Sequence, residues 1–190
     1  MEALLVSTGV VALGEMGDKT QLLALLLAAK FKRPIPIILG IFTATLANHT
    51  LAGALGAWIA AQLGAQIMRW VVGLGFIGMA GWVLIPDKAD EGAVQEPSRL
   101  GVYGTTVIAF FLAEMGDKTQ IATAALAAHY DSLLAVVTGT TLGMLLADAP
   151  AVFLGDAVAR RVPLRLVRGI AAAIFGALGL LTLLNVGDLL

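Results

Sequence analysis

The residues best suited to chemistry lie in one seven-residue string, Glu-Met-Gly-Asp-Lys-Thr-Gln, which occurs at residues 15–21 and again, unchanged, at residues 114–120. Each copy places two carboxylates three positions apart, a spacing that on a helix puts both on one face. Carboxylate, hydroxyl and amide oxygens are the ligands that hard divalent cations such as Mg²⁺, Ca²⁺ and Mn²⁺ prefer. The residues predicted to form such a metal site are Glu15, Asp18, Thr20, Gln21, Glu114, Asp117, Thr119 and Gln120.

Both copies lie inside long apolar runs, residues 4–29 and 102–128. A charged side chain at the centre of a membrane helix costs about 2.5–3.5 kcal/mol, whereas an apolar neighbour returns only about 0.3–0.6 kcal/mol. The charges of the motifs must therefore pair, face a wet cavity or bind an ion. If the two motifs face each other, four acids and two lysines leave a charge of −2, which one divalent cation would neutralise.

Other polar side chains are expected at a similar depth. Asn48 and His49 lie near the middle of the second apolar run, and Asp148 lies near the middle of the fifth, at the position equivalent to His49. Together with Lys19 and Lys118, they are assigned to coupling or charge balance. His49 is equally suited to a hydrogen bond between helices. For the motif charges as a whole, the alternative is an ion pair that only holds helices together.

We expect the helices to break at Gly17, Gly116 and Pro150. Glycine adopts backbone conformations that other residues avoid, and proline removes a backbone N–H. Inside a membrane, the carbonyl groups freed at a break are tolerated only where protein or a water-filled cavity satisfies them. Broken helices at the midplane are typical of the substrate sites of secondary transporters.

The composition indicates an integral membrane protein. Of the 190 residues, 59% are hydrophobic and 13% are charged, and the mean hydropathy is +0.92, whereas soluble domains carry about 25% charged residues. The net charge of −1 gives no sign of a nucleic-acid partner, and the absence of cysteine excludes disulfides and thiolate metal sites. The first apolar run is too long for a signal peptide, so we interpret it as a transmembrane helix.

Six apolar runs are long enough to cross a bilayer, which takes about 20 residues. Nine basic residues follow the first, third and fifth runs, against Arg69 alone on the other side, so the positive-inside rule places the nine in the cytoplasm and both termini outside. The runs are Leu4–Ala29, Ile35–Leu63, Ile67–Ile85, Leu100–Ala128, Leu133–Val158 and Leu164–Val186. The nine basic residues are Lys30, Lys32, Arg33, Lys88, Arg99, Arg160, Arg161, Arg165 and Arg168.

The chain also carries an internal duplication with an offset of 99 positions, which pairs Glu15 with Glu114 and Gly40 with Gly139. With three runs in each half, the second copy enters the membrane from the opposite side. The sequence therefore predicts an all-α integral membrane protein of six transmembrane helices, arranged as two inverted three-helix repeats. The repeats are residues 1–86 and 100–190, joined by a cytoplasmic linker, residues 87–99.

The string Glu-x-Gly-Asp-Lys-Thr, present twice in a six-span chain of this size, resembles the motif of the second family of calcium/cation antiporters. That family includes the Golgi calcium/manganese transporters and bacterial manganese exporters. The resemblance covers nearly the whole chain and implies export of Mn²⁺, in some members Ca²⁺, from the cytosol in exchange for protons. The chain lacks the extra N-terminal segment of eukaryotic members, so the resemblance implies a bacterial form in the plasma (inner) membrane. The motif falls on Glu15, Gly17, Asp18, Lys19 and Thr20 and on Glu114, Gly116, Asp117, Lys118 and Thr119.

ATP is not expected to be the direct energy source, because the chain has neither a phosphate-binding loop nor a soluble domain. Clustered carboxylates hold protons when the site is empty, and a divalent cation would displace them. These features predict a secondary active transporter with alternating access rather than an enzyme. Its partners are the transported Mn²⁺ or Ca²⁺, protons and the bilayer, with no further cofactor. Both halves of the site lie in one chain, so no oligomer is required.

Three alternatives remain at this point. A passive cation channel could use the same carboxylates as a selectivity ring, and it would show no coupling to protons. A scaffold that does not transport would keep the acids for structure alone, and it would not be stabilised by metal. An intramembrane hydrolase with paired acids has the least support, because the adjoining lysines would disturb a shared proton.

Overall fold

A computed structural model describes residues 1–85, 101–130, 132–154 and 164–184, and these residues contain helices and no strands. The predicted linker, residues 87–99, and the basic residues Lys88, Arg99, Arg160 and Arg161 lie outside the described residues. The helices are α1 (Glu2–Glu15), α2 (Lys19–Phe31), α3 (Pro34–Trp82), α4 (Gly101–Glu114), α5 (Lys118–His129), α6 (Leu133–Leu154) and α7 (Leu164–Leu183).

The first and fourth predicted spans are each built from two half-helices. Between α1 and α2 the chain turns at Gly17, where φ is 81°, and between α4 and α5 it turns at Gly116, where φ is 74°. A side chain with a Cβ would strain the backbone at such angles. The amide oxygen of Gln21 accepts the Gly17 N–H at 2.9 Å, and that of Gln120 accepts the Gly116 N–H at 2.7 Å. Each motif therefore contains both the glycine at which the helix breaks and a glutamine whose side chain stabilises that break.

Helices α3 and α6 each contain a residue that can interrupt a helix, with different results. Helix α3 contains one non-helical residue, Gly64 (φ 73°, ψ 157°), which divides it into two arms. Helix α6 continues through Pro150, so the predicted break there is wrong. The proline removes one N–H, but helical geometry persists on both sides of it. Nearby, the Gln21 side-chain amide donates to the carbonyl of Ala147 at 2.8 Å, which adds a hydrogen bond from the first motif to this part of α6.

Three helical segments are long and apolar enough to cross a membrane: Pro34–Gly64, Leu133–Leu154 and Arg165–Leu183. They correspond to the second, fifth and sixth predicted spans. The first and fourth predicted spans are the half-helix pairs, and the third is the second arm of α3. The described residues thus form an all-helical membrane protein with three continuous spanning candidates.

The two halves of the chain pack into each other through equivalent contacts. Helix α1 lies against α6, and α4 lies against the first arm of α3. A Cβ added at Gly139 would lie 2.9 Å from Ser7 Cβ and 2.5 Å from the Leu4 carbonyl oxygen, and one added at Gly40 would lie 2.6 Å from Thr106 Cβ. These contacts are related by the offset of 99 positions, since Ser7 corresponds to Thr106. Glycine is thus required at both crossings.

One pair of residues related by the offset of 99 positions is also in direct contact. The rings of Phe76 and Phe175 are 99 positions apart and pack with their centroids 6.2 Å apart. At one end of the molecule the Tyr130 hydroxyl donates to Glu2 Oε1 at 3.2 Å, which places the start of α1 beside the end of α5. The broken helices α1–α2 and α4–α5 therefore run in opposite directions.

Candidate metal and proton site

The two motif aspartates begin the second half-helices. Asp18 (φ −85°, ψ 170°) precedes α2, and Asp117 (φ −80°, ψ 166°) precedes α5. A helix N-terminus carries a partial positive charge that favours an anion. Neither carboxylate makes a side-chain capping bond to its own helix, because each one reaches across to the other motif.

The resulting ion pairs cross between the two repeats. Lys118 Nζ lies 2.6 Å from Asp18 Oδ1, and Lys19 Nζ lies 2.9 Å from Asp117 Oδ1. The side chains of Lys118 and Asp18 are 5% and 0% exposed, whereas those of Lys19 and Asp117 are 32% and 4% exposed. Both lysines therefore balance acids of the opposite motif, and the Asp18 pair is the more enclosed of the two.

The two motif glutamates end the first half-helices and are fully buried. The hydroxyl of Thr20 donates to Glu15 Oε2, and the hydroxyl of Thr119 donates to Glu114 Oε2 at 3.0 Å. Within the described residues, the other carboxylate oxygen of each glutamate, Oε1, has no hydrogen-bond partner. Each threonine thus fixes one oxygen and leaves the second available to an ion or a proton.

Three buried acids come together at this point. One carboxylate oxygen from each of Glu15, Glu114 and Asp117 lies within 4.8 Å of the others. Oxygens on opposite sides of a bound Ca²⁺ are about 4.6–5.2 Å apart, and on opposite sides of Mg²⁺ about 4.0–4.2 Å. The oxygens therefore have the spacing of ligands that could share one divalent cation. Without a cation or protons, their mutual repulsion in a poorly solvated interior would be unfavourable.

The polar residues of the neighbouring spans are also buried. Asp148 on α6 is 0% exposed, and neither of its oxygens has a partner among the described residues. Asn48 on α3 donates its amide to the carbonyl of Phe111 at 3.1 Å, and its own oxygen has no partner in the same part of the chain. His49 is likewise buried, with both ring nitrogens unpartnered in the described structure. Asp148 and His49 are thus buried groups able to bind a proton, and the Asn48 oxygen is a buried hydrogen-bond acceptor.

The geometry corrects the sequence prediction in one respect. The spacing of three between Glu15 and Asp18 does not place them on one helical face, because the helix is interrupted between them. The oxygens of Gln21 and Gln120 accept backbone N–H groups at the breaks, and that they also bind a metal stays a prediction. Of the four motif acids, Asp18 is the one engaged with a lysine instead of the three-acid cluster.

One residue of the site was missed by the sequence analysis, which counted Arg168 only as a basic residue at the cytoplasmic edge. The Arg168 guanidinium donates through Nη2 to the carbonyl oxygen of Gly17 at 3.0 Å, and so satisfies a carbonyl group at the first break. The offset of 99 was the signal that could have found it, because that offset pairs Arg168 with Arg69. Two arginines at equivalent positions in apolar spans are as unexpected as the motif acids.

Comparison with known proteins gives matches over most of the chain. The profile of the family described as "Divalent cation/proton antiporter GDT1" matches residues 3–91 and 102–188. A Vibrio cholerae protein named "Putative manganese exporter" is 51% identical over 183 residues, which cover 96% of this chain and 90% of that protein.

Plant proteins show a weaker likeness over a similar length. "GDT1-like protein 3" of rice (Oryza sativa subsp. indica) is 27% identical and that of Arabidopsis thaliana is 25% identical, each across 92% of this chain and 71% and 68% of the relative. No solved structure gives a significant match.

Proposed function

Because this chain belongs to the divalent cation/proton antiporter GDT1 family, we propose that it exports Mn²⁺ from the cytosol in exchange for protons. The family assignment makes it an ion transporter and not an enzyme, and it confirms the resemblance noted from the doubled motif. Our proposal goes beyond the family in four points: the identity of the ion, the direction of transport, the residues that bind the ion and the mechanism of exchange.

The observation that carries this proposal is the three-acid cluster of Glu15, Glu114 and Asp117. Buried carboxylates without a partner are costly in a membrane interior, and here each glutamate has one such oxygen in the described structure. A bound cation or bound protons would relieve that cost. A site of this kind binds one or the other, and that competition is what exchange requires.

Charge counting supports a competition between the two ions. Five buried acids and two lysines surround the site: Glu15, Asp18, Glu114, Asp117 and Asp148 with Lys19 and Lys118. With all seven ionised, five negative and two positive charges leave −3. A divalent cation leaves −1, which one proton on Asp148 would cancel, whereas an empty site reaches neutrality only with three protons. Loading the cation therefore releases protons.

The direction of the helices supports alternating access. The broken helices run in opposite directions, and the contacts at Gly40 and Gly139 are equivalent. This is the arrangement expected of six spans in two inverted repeats, with residues 1–86 and 100–190 rocking against each other around a fixed midplane site. We place the start of α1 and the end of α5 on the outer side of a bacterial plasma membrane, in keeping with the basic residues at the opposite end.

The preference for Mn²⁺ over Ca²⁺ has one line of support. The bacterial relative with 51% identity is named as a manganese exporter, and oxygen ligands suit both ions. The ligand set proposed is one oxygen each from Glu15, Glu114 and Asp117. Thr20 and Thr119 orient the glutamates, and Ca²⁺ is retained as a second substrate to be tested.

The proposal is tested by reconstituting the protein in liposomes that contain a metal-sensitive and a pH-sensitive dye. Mn²⁺, Ca²⁺ and Mg²⁺ are added in turn, with and without an imposed pH gradient. Flux of Mn²⁺ matched by an opposite flux of protons is expected. Mn²⁺ flux that ignores the pH gradient would indicate a channel, and folded protein that carries no metal would refute the proposal.

A further inference from the structure

The two equivalent breaks, at Gly17 and Gly116, differ in how deeply they are buried. Gly17 is buried, whereas Gly116 is exposed. Met16 is half-buried, whereas its equivalent, Met115, is 58% exposed. The lysine that reaches the second break, Lys19, is more exposed than the one that reaches the first. The first break is therefore covered by the rest of the protein, and the second lies at its surface.

One side chain from the second half of the chain reaches the first break. Arg168 lies one turn into α7 and donates to the Gly17 carbonyl at 3.0 Å. That carbonyl follows the C-terminus of α1, where the partial negative charge of the helix favours a cation. Arg168 thus joins α7 of the second repeat to the moving part of the first.

The equivalent arginine, Arg69, has a donor that lacks a partner in the described part of the chain. It lies five residues beyond the bend at Gly64, and its Nε is buried with no hydrogen-bond partner in the described residues. Its neighbour Met68 and the equivalent Val167 are both buried, so the two arginines lie on helices packed in equivalent ways. By the same offset, the carbonyl that corresponds to that of Gly17 belongs to Gly116, an exposed residue.

We propose that Arg168 and Arg69 are a reciprocal pair of positioning residues, each of which closes one side of the site by binding the carbonyl at the equivalent motif break. Arg168 holds Gly17 in the state described here, and Arg69 binds Gly116 in the opposite state. The inference rests on the proposed alternating access, and on the proposed orientation the state described here is open to the outside.

The chain contains no cysteine, so single cysteines report access without background. Met16→Cys and Met115→Cys are labelled separately with a membrane-impermeant maleimide applied from each side of sealed vesicles. Met115→Cys is expected to react from the outer side and Met16→Cys to be protected. A protected Met115→Cys would overturn the assignment of the open side.

The arginine is then changed in both labelling backgrounds. Arg168→Gln removes a charge-assisted hydrogen bond, whose usual strength corresponds to a change of roughly tenfold in the balance of two states. Labelling of Met16→Cys from the cytoplasmic side should rise by about that factor, and labelling of Met115→Cys should fall. Adding Arg69→Gln should restore labelling of Met115→Cys, because the second closure is then also lost.

Arg165→Gln is the matched control, since Arg165 is exposed on the same helix. It should leave both labelling rates unchanged. Equal effects of Arg165→Gln and Arg168→Gln, or no effect of Arg168→Gln in monodisperse protein, would overturn the proposal. Arg168→Lys keeps a cationic donor, so Met16→Cys should be labelled more slowly in this background than in Arg168→Gln. If the glutamine variant does not fold, the lysine variant is used in its place.

Failure of this inference is distinguishable from failure of the proposed function. Labelling measures access and needs no metal flux. The expected labelling pattern in protein that does not exchange Mn²⁺ for protons would refute the transport proposal and leave the paired arginines supported. Exchange that persists with unchanged labelling in Arg168→Gln would refute the paired arginines alone.

Discussion

Asp18 and Lys118 are one hundred positions apart in the chain, yet Lys118 Nζ lies 2.6 Å from Asp18 Oδ1, and both side chains are almost completely buried. The reciprocal pair of Lys19 and Asp117 completes the crossing. Each lysine is thus tied to the acid of the other repeat. The proposed rocking of the repeats would have to carry these pairs along or exchange them, because the charges beside the site also form part of the contact between the two halves.

The difference in burial predicts unequal effects of removing the lysines. Lys118→Met leaves Asp18 buried without its cation and should lower the free energy of unfolding by about 3–5 kcal/mol. Lys19→Met removes a lysine that is 32% exposed and therefore better solvated, so it should lower the free energy of unfolding by less than Lys118→Met does, although its partner Asp117 is buried. Chemical denaturation of the purified variants in detergent measures both. A larger loss for Lys19→Met would contradict the burial of the two pairs.

The threonine that orients Glu114 can be tested with nearly isosteric changes. Thr119→Val removes the hydroxyl that donates to Glu114 Oε2, and Mn²⁺ exchange should fall roughly tenfold or more because a bond to a charged group is lost. Thr119→Ser should retain most activity. Thr123→Val is the control, since Thr123 is equally buried but donates only to a backbone carbonyl. Equal losses in the Thr119 and Thr123 valine variants would refute the orienting role.

The glycine crossings predict a clear contrast in stability. A Cβ at Gly139 would lie 2.5 Å from the Leu4 carbonyl oxygen, whereas one at Gly75 would meet nothing within 4 Å. Gly139→Ala should therefore destabilise the protein by about 1–3 kcal/mol through forced separation of α1 and α6. Gly75→Ala should be neutral or stabilising by up to about 1 kcal/mol. Thermal unfolding in detergent compares them, and the reverse order would refute the close crossing.

Metal binding should stabilise the folded protein through the glutamates. Mn²⁺ at one hundred times its dissociation constant adds about 2.7 kcal/mol to the stability of a protein that binds it only when folded. The unfolding temperature of the wild type should rise with Mn²⁺, and that of the Glu15→Gln/Glu114→Gln double variant should not. Glu2→Gln, outside the cluster, is the control. An undiminished rise in the double variant would remove the glutamates from the site.

The aspartates are predicted to be essential for transport. Asp117→Asn removes one member of the three-acid cluster together with the charge that pairs with Lys19. Asp18→Asn uncouples Lys118 from the opposite repeat. Each change should abolish exchange while membrane insertion continues. Flux in liposomes with equal amounts of inserted protein measures the effect, and normal exchange by either variant would exclude that aspartate.

The repeat pattern explains why so much of the site was predictable. The identical strings at residues 15–21 and 114–120 placed all six charges, and the glycines inside them predicted both breaks. Which acid meets which lysine was not predictable, because the crossed pairing of Asp18 with Lys118 depends on how the repeats approach each other. The same holds for Arg168, whose partner Gly17 lies in the other repeat.

Two predictions from local sequence rules were wrong, because tertiary structure determines the geometry at those positions. Helical spacing suggested that Glu15 and Asp18 share a face, but the positive φ of Gly17 reorients the chain between them. Proline suggested a break in α6, but the helix continues through Pro150. The sequence predicted only a gap between the second and third apolar runs. In the structure α3 covers both runs and bends at a single residue, Gly64.

The central claim is that Mn²⁺ and protons compete for the cluster of Glu15, Glu114 and Asp117. The most direct test is calorimetric titration of the purified protein with Mn²⁺ in buffers of different ionisation enthalpy, which counts the protons released as the ion binds. Release of protons on binding is predicted for the wild type, with loss of binding in the Glu15→Gln/Glu114→Gln variant. Binding of Mn²⁺ that releases no protons, or tight binding that persists in the double variant, would contradict it.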